Sequence, residues 1–117
     1  MMRRNVWVSA TGAAAILSAA VLLPGAAAAV PSWCANVHDG SPDAEWAICD
    51  NPDIGNLDDV MSTAYKRARF DSPSYRGEIR RTQKQWLRRR NRCGGNVGCL
   101  RSTYRQRIFE LEGYFAN

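Results

Sequence analysis

Four cysteines, at positions 34, 49, 93 and 99, constrain this chain more than any other feature of its 117 residues. Their spacing contains no C-x-x-C pair, so it lacks the ligand knuckle of a zinc site and suits disulfides, provided the chain reaches an oxidising compartment. Four cysteines allow three connectivities. The local pairing, Cys34 with Cys49 and Cys93 with Cys99, is favoured because each pair is close in sequence and flanks turn residues.

The compartment follows from the first 29 residues. Arg3 and Arg4 precede an uncharged apolar or small-residue run, Val6 to Leu23, followed by Pro24, Gly25 and Ala26 to Ala29. A positive start, an apolar stretch and an A-x-A-like end predict a cleavable signal peptide over 1–29, with the mature chain starting at Val30. An uncleaved anchor is the alternative, but Ser9, Thr11, Gly12 and Ser18 dilute the run and no basic stop-transfer cluster follows. Arg3-Arg4-Asn5-Val6-Trp7 leaves a twin-arginine signal open beside the general secretory one. Pro31-Ser32-Trp33 before Cys34 is not the small aliphatic run of a lipid-attachment site. The expectation is therefore a soluble periplasmic or secreted protein, with no lipid anchor and no transmembrane helix after cleavage.

Splitting the chain there changes its composition. The leader holds twenty hydrophobic residues, which leaves 33 among the remaining 88. A single domain that small buries roughly 60 to 65% of its unfolded surface, too little for a large catalytic fold, and cross-links are expected to reinforce its thin core.

Within 30–117 the apolar residues recur at three- and four-residue intervals and never alternate over strand length. Ser41-Pro42 predicts a short helix from Pro42 to about Cys49, with Ser41 as N-cap. Asn51-Pro52-Asp53 predicts a second start, with Ile54, Leu57, Met61, Ala64 and Ala68 on one stripe ending near Phe70. Gly55 weakens its first turn by about 1 kcal/mol relative to Ala. After Ser72-Pro73-Ser74 a third stripe takes Tyr75, Ile79, Thr82, Trp86 and Cys93 until Gly94-Gly95 stops it. Asn96 caps a fourth helix carrying Val97, Leu100, Tyr104, Ile108, Leu111 and Phe115. The predicted architecture is all-α, a bundle of one short and three long helices stapled by two disulfides.

Charge is segregated along this domain. Seven acids and no base lie between Val30 and Asp59, including Asp39, Asp43 and Glu45; fourteen bases and four acids follow, for a net charge of +3. Arg76, Arg80, Lys84 and Arg88 recur every four residues on the third helix. The plain reading is solvated faces, with the acidic half docked on the basic half. The alternative leaves one lobe exposed to a charged partner: the acids to a basic protein, or the arginine row to an anionic envelope glycan, lipid or protein. Export disfavours nucleic acid.

Catalytic constellations are missing. His38 is the single histidine, set in a loop, and no nucleophile motif, metal cluster or phosphate loop accompanies it. Asp58 and Asp59 are adjacent on a helix and point apart, which is poor geometry for an acid–base pair. A non-enzymatic protein without a cofactor or metal is expected.

The order Cys34, Ala47-Ile48-Cys49-Asp50-Asn51-Pro52, Leu57-Asp58 and Tyr65, then Gln83-x-x-Trp86-Leu87-x-x-Arg90-x-x-Cys93, then Cys99-Leu100, Tyr104 and Arg107-Ile108-x-x-Leu111 resembles the LprI-like family, named for a mycobacterial lysozyme inhibitor. The likeness runs from Cys34 to Leu111. It implies a small exported helical domain that binds lysozyme without covalent chemistry and blocks its sugar cleft. Lysozymes are generally basic, which suits the acidic segment. The named inhibitor looks like a lipoprotein, and this chain departs from it in having no lipid-attachment cysteine. Among the motif positions, Tyr65, Trp86 and Tyr104 read as core, and Leu87 belongs to the motif without a separate role. The polar ones, Asp58, Gln83, Arg90 and Arg107, flank core stripes; Asp58 is expected to pair with Arg90 or Arg107 and fix helix register.

Overall fold

Proline and asparagine set the helix boundaries of this chain. The computed structural model describes residues 12–15 and 30–116, so the expected export segment lies outside the described residues apart from 12–15, which have no regular secondary structure. A 3-10 helix, Ser32–Asn36, leads into α1 (Asp43–Asp50) and α2 (Pro52–Asp71); a 3-10 turn, Pro73–Tyr75, then leads into α3 (Arg76–Asn91) and α4 (Val97–Glu112). The domain is all-α, with no strand among the described residues.

α1 begins one residue later than the sequence predicts, because Pro42 holds an extended ψ of 145° and itself occupies the cap position. The Ser41 hydroxyl does not cap the helix. It accepts from the His38 backbone N–H at 3.1 Å and touches His38 Nδ1 at 3.2 Å, closing a surface turn. Asn51 serves two helices. Its side-chain amide donates to the Ala47 carbonyl at 2.7 Å, and its own carbonyl accepts from Ile54 and Gly55, opening α2. Gly55 allows a close approach there: a Cβ would stand 3.0 Å from Pro31 Cδ, a tight contact, so the missing side chain lets the N-terminal segment pack on α2. α3 ends before Gly94, whose φ of +56° suits glycine. Asn96 caps α4 as expected, accepting from the Cys99 N–H at 2.9 Å.

α2 and α4 run parallel, and α3 runs antiparallel between them in sequence. Asp53 meets Arg101, Asp58 meets Tyr104 and Arg67 lies over Phe115, each α2 residue matched to one a similar step further along α4 or the turn that follows it. α3 returns from Arg76, bonded to the Arg69 carbonyl, through Gln83 beside Met61 to Arg90 beside Glu45. α1 therefore covers the end where α2 and α4 begin and α3 finishes. The core is Ala44 and Ile48 from α1, Ile54, Met61, Ala64 and Ala68 from α2, Ile79 and Trp86 from α3, and Leu100, Tyr104 and Leu111 from α4. Tyr75 departs from its predicted core position: it sits in the 3-10 turn, 54% exposed, against Tyr114.

Both disulfides join the local pairs. Cys34–Cys49 ties the N-terminal 3-10 helix to α1, and Cys93–Cys99 spans the turn between α3 and α4. No helix among the described residues is long and apolar enough to cross a membrane.

Candidate binding surfaces

The polar motif residues are buried, and their partners differ from those the sequence suggests. Asp58 is 3% exposed, and its two oxygens accept from Trp33 Nε1 at 2.9 Å and from the Tyr104 hydroxyl at 2.7 Å. The expected pairing of Asp58 with Arg90 or Arg107 is therefore absent. Each carboxylate oxygen already accepts from one neutral donor, and each arginine is turned to other partners. Arg90 donates twice to Asn91 Oδ1, lies 3.5 Å from Glu45, and stacks near the Trp33 and Trp86 rings. Arg107 donates to Gln83 Oε1, Thr82 Oγ1, Glu110 Oε2 and the Ile79 carbonyl, joining α4 to α3. Asp58 thus joins α2 to the N-terminal 3-10 helix and α4, Arg90 joins α3 to α1, and Arg107 joins α4 to α3.

Burial, and after it the charge of Asp58, pushes the Tyr104 phenol well above its ordinary value, with Arg90 opposing. The folded protein holds this proton while the unfolded chain loses it near pH 10, so the associated stability is complete below about pH 10 and is lost as pH rises further. Ultraviolet titration should show one phenol that ionises only with global unfolding. Tyr104→Phe should remove it, and should cost about 1.5–3 kcal/mol at neutral pH for the lost bond to a carboxylate.

Trp33, Glu45, Asp58, Gln83, Leu87 and Arg90 line a cleft of about 460 Å³ between the N-terminal 3-10 helix, α1, α2 and α3. It gathers four of the motif residues, Asp58, Gln83, Leu87 and Arg90, whereas Tyr65, Trp86, Tyr104 and Arg107 do not line it. Trp33 completes it from a segment whose sequence signal, a lone tryptophan beside a cysteine, gave no hint of contact with α2.

The acidic lobe is presented outward on α1. Asp43, Trp46 and Asp50 follow i, i+3, i+7 spacing and so share one face, opposite the buried Ala44 and Ile48. Asp43 and Asp50 are exposed, and Trp46 is 40% exposed, unusual for a side chain of this size. Asp39 is exposed in the preceding loop, whereas Glu45 is half-buried and held by Arg90. Sequence reasoning assigned no role to Trp46; its place between two aspartates on one helix face was the available signal.

The two lobes touch through two ion pairs, Glu45–Arg90 and Asp53–Arg101, the latter 2.6 Å long. Its hydrogen bond from Arg101 holds the Asp53 carboxyl below the usual range. Docking of acid on base is thus confined to one end. Arg76, Arg80, Lys84 and Arg88 are all exposed, and none forms an ion pair among the described residues. His38 lies exposed in its turn.

No protein-family model, curated protein sequence or solved structure matches the chain.

Proposed function

We propose that this is an exported, non-enzymatic helical protein that binds lysozyme and blocks its sugar cleft, with α1 as the contact surface. The observation that carries this reading is the exposed Trp46 flanked by Asp43 and Asp50 on one face of a helix that a disulfide holds rigid. A protruding tryptophan supplies the central anchor typical of protein interfaces, and carboxylates beside it steer and orient a basic partner. The domain's net positive charge does not oppose this locally, because bases beyond about 8 Å are screened at physiological salt. The likeness to the LprI-like family points the same way.

Purified 30–117 should slow lysis of bacterial cell walls by lysozyme at micromolar excess. Trp46→Ala should weaken the complex by about thirtyfold or more, as for an interface anchor. Asp43→Asn with Asp50→Asn should mainly slow association and blunt its salt dependence. Failure to slow lysis by any of several lysozyme types removes the reading.

The unpaired row on α3 favours a second reading, an adaptor for an anionic envelope polymer contacted by Arg76, Arg80, Lys84 and Arg88. Binding of that kind weakens steeply as salt rises.

A further inference from the structure

At the end of the bundle opposite α1, the last turns of α2 and the start of α3 bring Lys66, Arg69, Phe70 and Arg76 around a recess of about 280 Å³. None of the three cations forms an ion pair among the described residues. The neighbouring acid, Asp71, is engaged by Arg67 at 3.4 Å. Arg76 is held in place by its Nε bond to the Arg69 carbonyl at 2.8 Å, and Arg69 by its position over the Tyr65 ring. Arg69 Nε is buried and has no hydrogen-bond partner, a donor left over in a positively charged recess. Beside it Phe70 is 79% exposed, the most exposed large apolar side chain among the described residues.

A negative helix end accounts for cations near the C-terminus of α2. It does not account for an aromatic ring standing in water beside them. Cations around an outward-pointing aromatic are the pairing that an anionic bilayer rewards: ring in the headgroup–acyl boundary, cations among the phosphates. We propose that this end of the bundle docks peripherally on an anionic phospholipid bilayer, with Phe70 inserted and Lys66, Arg69 and Arg76 on the headgroup phosphates. A free phosphate offers the same oxygens but nothing for Phe70. The ring therefore selects the bilayer. Pro52 and Phe70 are eighteen residues apart on α2, about 27 Å, so this surface is remote from α1 and stands apart from the lysozyme reading.

Co-sedimentation of purified 30–117 with vesicles of phosphatidylglycerol in phosphatidylcholine, against phosphatidylcholine alone, tests it. Binding should require the anionic lipid. Lys66→Gln should weaken it about fivefold, as for one surface cation, and Phe70→Ala about tenfold. Both side chains are exposed, so the folded domain tolerates each change. Trp46→Ala should leave vesicle binding unchanged. Absence of binding, equal binding to both vesicles, or binding untouched by Phe70→Ala overturns the proposal. Displacement by millimolar inorganic phosphate with no effect of Phe70→Ala would identify a phosphate site instead.

Discussion

Trp86→Ala should destabilise the domain by about 3–5 kcal/mol, lowering the thermal midpoint by about 15–35 °C. Trp86 is 1% exposed, packs edge-on against Tyr104 with ring centroids 5.1 Å apart, and donates its indole N–H to the Thr103 carbonyl at 3.1 Å. Truncation removes the largest piece of apolar surface in the core, opens a cavity between α3 and α4, and leaves the Thr103 carbonyl without this donor. A domain of this size holds only about 5–10 kcal/mol in total, so the variant should sit near the edge of folding. Trp86→Phe keeps most of the ring and loses the hydrogen bond, and should cost about half as much or less. Denaturant unfolding followed by far-ultraviolet circular dichroism separates the two. A loss below about 1 kcal/mol for the alanine variant would show that α3 and α4 do not pack through this side chain.

Cys34→Ser with Cys49→Ser should cost about 3 kcal/mol from loop closure alone. The bridge spans 15 residues and ties the segment carrying Trp33 to α1. Releasing it frees that segment to move, and with it the indole that donates to Asp58. The buried carboxylate then keeps Tyr104 as its one remaining donor, so the loss should exceed the entropic figure. Adding Trp33→Phe to the double variant tests this coupling: if the Trp33 bond has already been lost with the disulfide, the further change should be small.

Local features of this fold were open to reading from residues alone, and cross-chain ones were not. Asn96 as a cap, Gly94-Gly95 as a stop and Pro52 at a helix start are written in a few adjacent residues. The two disulfides join the pairs that closeness in sequence favoured among the three possible connectivities. Trp86 in the core followed from spacing. The partners of Asp58 did not, because opposite charge is the obvious match for a carboxylate, and nothing in spacing reveals that a tryptophan and a tyrosine from distant segments reach it first. Arg107 likewise occupies a core-facing place on α4, where Gln83, Thr82 and a free carbonyl supply what its charge needs. The charge map was legible as a segregation, but its surface consequence depended on topology. Only the fold shows that α1 and the end of α2 are far apart, so that an acidic face with a tryptophan and a basic end with a phenylalanine become two separate surfaces.

The parallel run of α2 and α4 also sets when this protein can fold. Asp53–Arg101 and Asp58–Tyr104 link residues 48 and 46 positions apart, and the apolar stripe of α2 is covered largely by α4, a helix made well after it. Adjacent helices can pair early, but no complete core exists until α4 has been made. The chain must therefore stay open until α4 joins the other three helices. A chain cut short before α4 would lack Leu100, Tyr104 and Leu111 from its core and should be cleared by proteases rather than persist as a smaller domain.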